Sequence, residues 1–172
     1  MATVIIRPDA VSSDSGFDQT GSNLLSRIND NDTSTLVVNN VTTGEFSVSF
    51  NNDSAYSGAT INNIVVSVTG NTINSKVSEA TLELTLRDDS GTLQTTSLSF
   101  TPTETTQNGA TYSTSLTPSV VDALILAGSV ETAGLQIKEI FITVDYTVAV
   151  ATTPFIGMKS GKYKIVSGKI KI

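Results

Sequence analysis

The side chains of this sequence that could do chemistry are carboxylates, amides and hydroxyls. Their densest cluster is Asn29-Asp30-Asn31-Asp32-Thr33, and 51–53 and 88–89 hold smaller clusters. Calcium takes about six to eight oxygen ligands, which loops rich in Asp and Asn supply, so Asp30 and Asp32 are candidate calcium ligands. The cluster lacks the central glycine and the closing glutamate of an EF-hand loop. Because Asp and Asn also bond their own backbone in turns, turn formation is the alternative interpretation.

Catalysis has little support in the composition. The chain contains no histidine and no cysteine, and so lacks the commonest general base and the strongest nucleophile. A pair of carboxylates could hydrolyse glycosides. Such sites usually include aromatic platforms for the sugar, however, and this chain has no tryptophan, six phenylalanines and four tyrosines. We therefore predict that the protein is not an enzyme.

The charges are divided unequally along the chain. Residues 1–158 hold five basic and all sixteen acidic residues, a net charge of −11, whereas 159–172 hold five lysines and no acid. An acidic body repels nucleic acid, so we expect no nucleic-acid partner. We expect no membrane partner either, since no apolar run is long enough to span a bilayer. A contact of the tail alone with either one is the weaker alternative.

The basic end of the chain is a near-repeat. The sequence SGKYKI at 160–165 recurs as SGKIKI at 167–172. A two-residue turn at Ser167-Gly168 would pair the repeats as a hairpin, with Ile165 opposite Ile170, Tyr163 opposite Ile172 and Lys164 opposite Lys171. An isolated hairpin is marginally stable, so we expect 154–172 to be a docking arm that is ordered against another surface. Its docking residues would be Phe155, Ile156, Lys162, Tyr163, Lys164, Ile165, Lys169, Ile170, Lys171 and Ile172; a solubilising tail is the alternative.

The remaining sequence is typical of an all-β protein. Serine, threonine and asparagine total 60 residues, which favours strands and turns over long helices. Period-2 alternation predicts strands at 79–87 and 93–101, joined by a hairpin turn, and at 110–116. The longest predicted strand, 136–148, should be central. One short helix is predicted near 118–127, capped by Thr117 with Pro118 at its first position.

These elements predict an antiparallel, jelly-roll-like β-sandwich over 24–153. Residues 1–23 are rich in Ser, Asp and Gly and are predicted to be an extended N-terminal arm or a long loop. The N-terminus lacks the basic start and apolar stretch of a secretory signal, so we expect a protein made and used in the cytosol. The absence of cysteine leaves core burial or oligomerisation as the source of stability.

Three stretches resemble small all-β structural proteins of tailed-bacteriophage virions. They are RINDNDTST at 27–35, LTPSVVDAL at 116–124 and VDYTV at 144–148, and the resemblance covers about residues 24–148. It implies a virion protein made in the host bacterial cytoplasm: a capsid decoration (cement) protein, or a tail, neck or fibre component. Such proteins are often trimers whose arms reach over neighbouring subunits. The implied partners are sister copies and the major capsid protein or another virion protein.

A second hypothesis comes from a different functional class. Carbohydrate-binding modules share the sandwich architecture, and their calcium loops resemble the aspartate-rich stretch. This hypothesis predicts glycan binding by exposed Tyr56, Phe141 or Tyr112 beside a calcium ion. The lack of tryptophan favours the structural role instead.

Overall fold

The structure, a computed structural model, describes residues 1–18, 24–29, 37–39, 43–50, 54–73, 77–114, 116–149, 165–166 and 169–170. It confirms an all-β protein built from two antiparallel sheets. The sandwich strands are β1 (Ala2–Ile6), β2 (Pro8–Ser15), β3 (Phe17–Asp18), β4 (Val37–Asn39), β5 (Gly44–Phe50), β6 (Thr60–Thr72), β7 (Ala80–Asp88), β8 (Gly91–Phe100), β9 (Thr105–Asn108), β10 (Ile125–Val130) and β11 (Leu135–Thr147).

Three short helical segments and a separate pair of strands complete the described residues. The helices are α1 (Leu24–Ile28), α2 (Pro118–Asp122) and a 3-10 turn at Ser54–Tyr56. The separate strands are β12 (Ile165–Val166) and β13 (Lys169–Ile170). Of these helices, none is long and apolar enough to cross a bilayer.

The strands pair in a nested order that defines a jelly roll. Strand β7 pairs with β8, β6 with β9, β5 with β10, and β4 with β11, all antiparallel. A long ribbon of paired strands folded over itself produces this pattern. The result is one sheet with the order β3-β4-β11-β6-β9, to which β1 is added, and a second sheet with the order β2-β5-β10-β7-β8. The predicted jelly-roll-like sandwich is therefore confirmed.

The core lies between the two sheets and follows the alternation in the sequence. On β11, Ile140, Ile142 and Val144 are fully buried, while the residues between them are partly exposed. Leucines 82, 84 and 86 on β7 alternate in the same way. Strand β11 is central, as predicted, because β6 pairs along one of its edges while β4 and β1 follow one another along the other.

The N-terminal segment corrects the sequence prediction. Residues 2–18 are not an arm or a loop but form β1, β2 and β3, which pair with β11, β5 and β4. Ile6 and Phe17 are buried, at 6% and 8% exposure. The Ser- and Asp-rich composition is misleading because β2 is an edge strand that buries little beyond Pro8.

The helix predicted in the second half of the chain is also corrected. The helix near 118–127 ends at Asp122, although Thr117 Oγ1 accepts from the backbone N–H of Val120 as predicted. Residues 125–130 form β10 instead, because Leu126 and Val130 complete the core between β5 and β7. Gly128 is required there, since a Cβ would collide with the ring of Phe46.

The strand predicted at 110–116 is reduced to one bridge, between Tyr112 and Ile64. The edge strand is β9, at 105–108, whose side chains are Thr, Gln and Asn. Ser67 Oγ donates to Asn108 Oδ1 at 2.8 Å, and the hydroxyls of Thr69 and Thr106 are 2.9 Å apart. Cross-strand hydrogen bonds of this kind replace the apolar alternation that would have identified the strand.

The chain passes from the first sheet to the second at Arg7, and an ion pair fixes this corner. Arg7 Nη2 and Nε donate to Glu139 Oε1 at 2.7 and 3.0 Å. Glu139 lies on β11 between the segments that pair with β4 and β1, and it is only 7% exposed. Helix α1 packs nearby against β2, β4 and β11.

We predict that Arg7→Ala destabilises the protein by about 3 kcal/mol, because it leaves a buried carboxylate without its guanidinium partner. The double variant Arg7→Met/Glu139→Leu should recover most of this loss, since it removes both charges. Urea unfolding gives both free energies. An Arg7→Ala protein as stable as the wild type would contradict the assignment.

The hairpin between β7 and β8 supports a second prediction, on pH. Asp88 Oδ1 accepts from Ser90 Oγ and the backbone N–H groups of Ser90 and Gly91, and the hydrogen bond from the Ser90 side chain is the main cause that lowers the Asp88 pKa. A pKa lowered in the folded state means stabilisation that is present at neutral pH and is lost as the pH falls below the ordinary value of 3.8.

Asp88→Ala should therefore have a lower Tm than the wild type at neutral pH, and the two values should converge in acid. Asp89→Ala, a change of the same size at the neighbouring position, is the control. A Tm difference for Asp88→Ala that is equally large at neutral and acid pH would show that the carboxylate charge is not involved.

Candidate functional site

A groove crosses the solvent-facing side of the five-stranded sheet, from β2 over β5 and β10 to β7. Its volume is about 280 Å³. It is lined by Ser13, Glu45, Phe46, Ser47, Glu83, Arg87, Ala127, Gly128 and Ser129. The two sides of the groove belong to strands that are far apart in the sequence, and the nested pairing brings them together.

The groove exists because β10 carries small side chains between two strands with longer ones. Ala127, Gly128 and Ser129 form its floor. The register places Glu45 of β5 and Glu83 of β7 opposite Ser129 from its two sides. Since neighbouring strands are about 4.8 Å apart, the two glutamates have Cα atoms about 10 Å apart, one on each side of the floor.

One polar group in the groove lacks a partner. Ser47 lies opposite Ser13 and is only 6% exposed, although it alternates with the core residues of β5. Its Oγ accepts or donates no hydrogen bond within the part of the chain that the structure describes. Buried hydroxyls are normally hydrogen-bonded, so Ser47 is a polar residue of the groove whose hydrogen-bonding capacity the described residues leave unused.

The charges of the groove suit a cation better than an anion. Glu45 and Glu83 outnumber Arg87, and all three are exposed. A lysine ammonium group has three donors and needs acceptors, which the two carboxylates and the serine hydroxyls provide. The groove therefore fits a segment of chain that carries lysines and small or apolar residues.

The described part of the C-terminal segment is a hairpin. Strand β12 pairs with β13, with Ile165 opposite Ile170 and Val166 opposite Lys169. This is the register that the repeat predicts. The other predicted docking residues lie outside the described residues: Phe155, Ile156, Lys162, Tyr163, Lys164, Lys171 and Ile172. The predicted pairs of Tyr163 with Ile172 and of Lys164 with Lys171 therefore lie outside them as well. Docking of the arm remains a prediction.

The calcium prediction cannot be placed on the fold. Asp30 and Asp32 lie outside the described residues. Within the described ranges, no group of three or more acidic side chains lies close enough together to hold a metal ion.

The aromatic side chains of the carbohydrate hypothesis do not form one surface. Tyr56 was predicted to be exposed, which is wrong: it is 1% exposed, and its hydroxyl donates to Asp122 Oδ1 at 2.6 Å. Tyr112 packs against the core, and Phe141 lies opposite Ser67 on the outer side of the other sheet. None of the three lines the groove.

Sequence reasoning identified the hairpin but missed the groove. The repeat is visible because its two copies are adjacent in the chain. Glu45, Ser129 and Glu83 are far apart in the sequence, and each is an ordinary solvent-facing residue of its own strand. The remaining signal is the Ala-Gly-Ser run at 127–129, which begins at the last residue of the helix predicted near 118–127.

Comparisons with known proteins identify no family. No family model matches the chain, and no curated protein matches it. Among solved structures, it is similar to the isomalto-dextranase of Arthrobacter globiformis T6 complexed with panose, with a TM-score of 0.31 and 12% identity. The match covers 64% of this chain and only 16% of that chain, and a likeness this loose carries no argument about function.

Proposed function

We propose that this protein is a noncatalytic structural protein of a tailed-bacteriophage virion, which assembles by docking its lysine-rich C-terminal arm on a neighbouring subunit. The finer assignment is a capsid decoration (cement) protein, and a tail, neck or fibre component is the alternative. The observation that carries the proposal is the pairing of β12 with β13, because it places a hairpin in a lysine-rich segment of a chain whose residues 1–158 carry a net charge of −11.

The acidic groove is the surface proposed to receive the arm. Lysines of the hairpin would pair with Glu45 and Glu83, and its isoleucines would cover the small residues of the floor. A single exposed ion pair contributes about 0–1 kcal/mol, so the affinity would depend on several pairs together with apolar burial. Binding should weaken at high salt, because these charges are exposed to solvent.

The arm could also dock by adding a strand to a sheet of its partner. Strand addition provides main-chain hydrogen bonds, while side chains on alternate positions provide specificity. Either mode is noncovalent and needs neither a metal nor a cofactor. The partners would be sister copies and the major capsid or another virion protein, and the protein would be made in the bacterial cytoplasm before it joins the virion.

The carbohydrate-binding module is retained as a second candidate only in a reduced form. With Tyr56 in the core, stacking on a sugar would fall to Phe141 or Tyr112, which are half-buried and belong to the six-stranded sheet and its adjoining loop. A glycan array with calcium present, compared with the same array and a chelator, tests this hypothesis directly.

We predict that deletion of 155–172 leaves the sandwich folded but abolishes incorporation into phage particles. Circular dichroism reports folding, and co-sedimentation with particles reports incorporation. In the full chain, Glu45→Gln/Glu83→Gln should reduce the incorporation or the self-association that the arm provides. Glu79→Gln/Glu131→Gln makes the same charge change at exposed glutamates outside the groove and is the matched control.

Two results would count against the proposal. A truncated protein that decorates particles at full occupancy would exclude the arm as the docking element. Equal losses in the groove variant and in its control would mean that general acidity, and not the groove, attracts the arm.

A further inference from the structure

Strand β8 is a sheet edge whose protection against pairing is confined to its start, where one register irregularity against β7 falls at Leu93 and leaves 94–100 regular. It ends the five-stranded sheet, and beyond its pairing with β7 it forms no other ladder within the described residues. Its ten residues, GTLQTTSLSF, include no charged residue and no proline. Unpaired edge strands of this length normally carry lysines, prolines or bulges that prevent pairing with another chain.

The other edges of the sandwich do show such protection or are short. Strand β2, at the opposite end of the same sheet, begins with Pro8, carries Asp9 and Asp14, and has two register irregularities against β5. In the six-stranded sheet, β9 has four residues and β3 has two, and β1, which pairs only with β11 among the described residues, has five. The long uncharged edge of β8 is therefore a specific feature of one side of the molecule.

We infer that β8 pairs antiparallel with β8 of a second copy, joining two five-stranded sheets into one continuous sheet of ten strands. A two-fold axis relates the two strands, so each free backbone donor meets an acceptor of the same strand in the other copy. This interface does not rest on the docking of the arm.

A second copy fits this edge for a reason of charge. Each chain carries a net charge of −6, so two copies repel one another over most of their surfaces. The β8 edge has no charge to place against itself. A basic partner would instead be attracted to acidic surfaces such as the groove.

The outward side chains of β8 are also compatible with self-pairing. Thr95, Ser97 and Ser99 are exposed, whereas Leu98 and Phe100 point into the core. The strand already places Thr95 opposite Thr85 of β7 and so tolerates a hydroxyl pair. Pairs of Thr and Ser across antiparallel strands are favourable, and the same pairs would form on the other edge.

The test begins with the mass of the full chain by light scattering. The wild type should be a dimer or an even-numbered assembly, and Ser97→Lys/Ser99→Lys should reduce the mass two-fold. The matched control, Ala10→Lys/Ser12→Lys, makes the same charge change on exposed positions of β2 that do not line the groove and should keep the wild-type mass. Circular dichroism shows whether each variant is folded.

Cysteine pairing gives an independent test that does not depend on a destabilising change. Because the chain has no cysteine, single Cys variants at 95, 97 and 99 have no background. In an antiparallel pair with a single register, the residue numbers of directly opposite positions always add up to the same sum. Disulfides should therefore form only between positions whose numbers give that sum. A shift of two residues moves the partners by about 7 Å along the strands, which puts their Cα atoms beyond the roughly 7 Å reach of a disulfide.

The three variants are oxidised alone and mixed in pairs. The antiparallel β8 interface is supported if crosslinks form only between positions with one sum of residue numbers. Deletion of 155–172 should leave these crosslinks unchanged. Several outcomes overturn it: a monomeric or trimeric wild type, a wild-type mass in the β8 lysine variant, dissociation by the β2 variant alone, or crosslinking of each position with itself. If the arm deletion alone changes the mass, the arm and not β8 holds the copies together.

Discussion

The structure depends on the engagement of β11 along both of its edges. On one side it pairs with β6 over nearly its whole length, and on the other it is shared between β4 and β1. Its buried side chains are the middle of the apolar layer between the sheets. Because β4 is the first strand of the nested roll and β11 the last, this one pairing closes the architecture, and β1 adds to an edge that the closure leaves open.

The gap between β1 and β4 along one edge of β11 explains the ion pair found in this region. The gap along β11 leaves room for Arg7 to reach Glu139 at the point where the chain changes sheets. The guanidinium in this position satisfies a carboxylate that is only 7% exposed. Helix α1 then fills the space with Leu24 and Ile28, which are fully buried.

The sequence predicted the strands whose side chains alternate clearly. Ile140, Ile142 and Val144, and the leucines of β7, identified a central strand and a hairpin that the structure contains. It failed where tertiary contacts outweigh local pattern. Thr106 and Asn108 stabilise an edge by hydrogen bonds, and Ala127-Gly128-Ser129 is drawn into a sheet by its neighbours on both sides. The hairpin register at Ile165 and Ile170 was accessible because it is local. The groove was not, because it requires the register of four strands at once.

The pairing of β1 with β11 also has a kinetic consequence. Ala2 lies opposite Tyr146, so strands from near the two ends of the described sandwich must find each other before the six-stranded sheet is complete. Contacts between residues this distant in sequence slow folding, because the entropy of closing the long loop is lost before the contact compensates it. The β7–β8 hairpin is local, so we expect it to form early by comparison. During this interval its uncharged edge is already available to other chains, so the order in which the roll closes sets the period in which folding competes with aggregation.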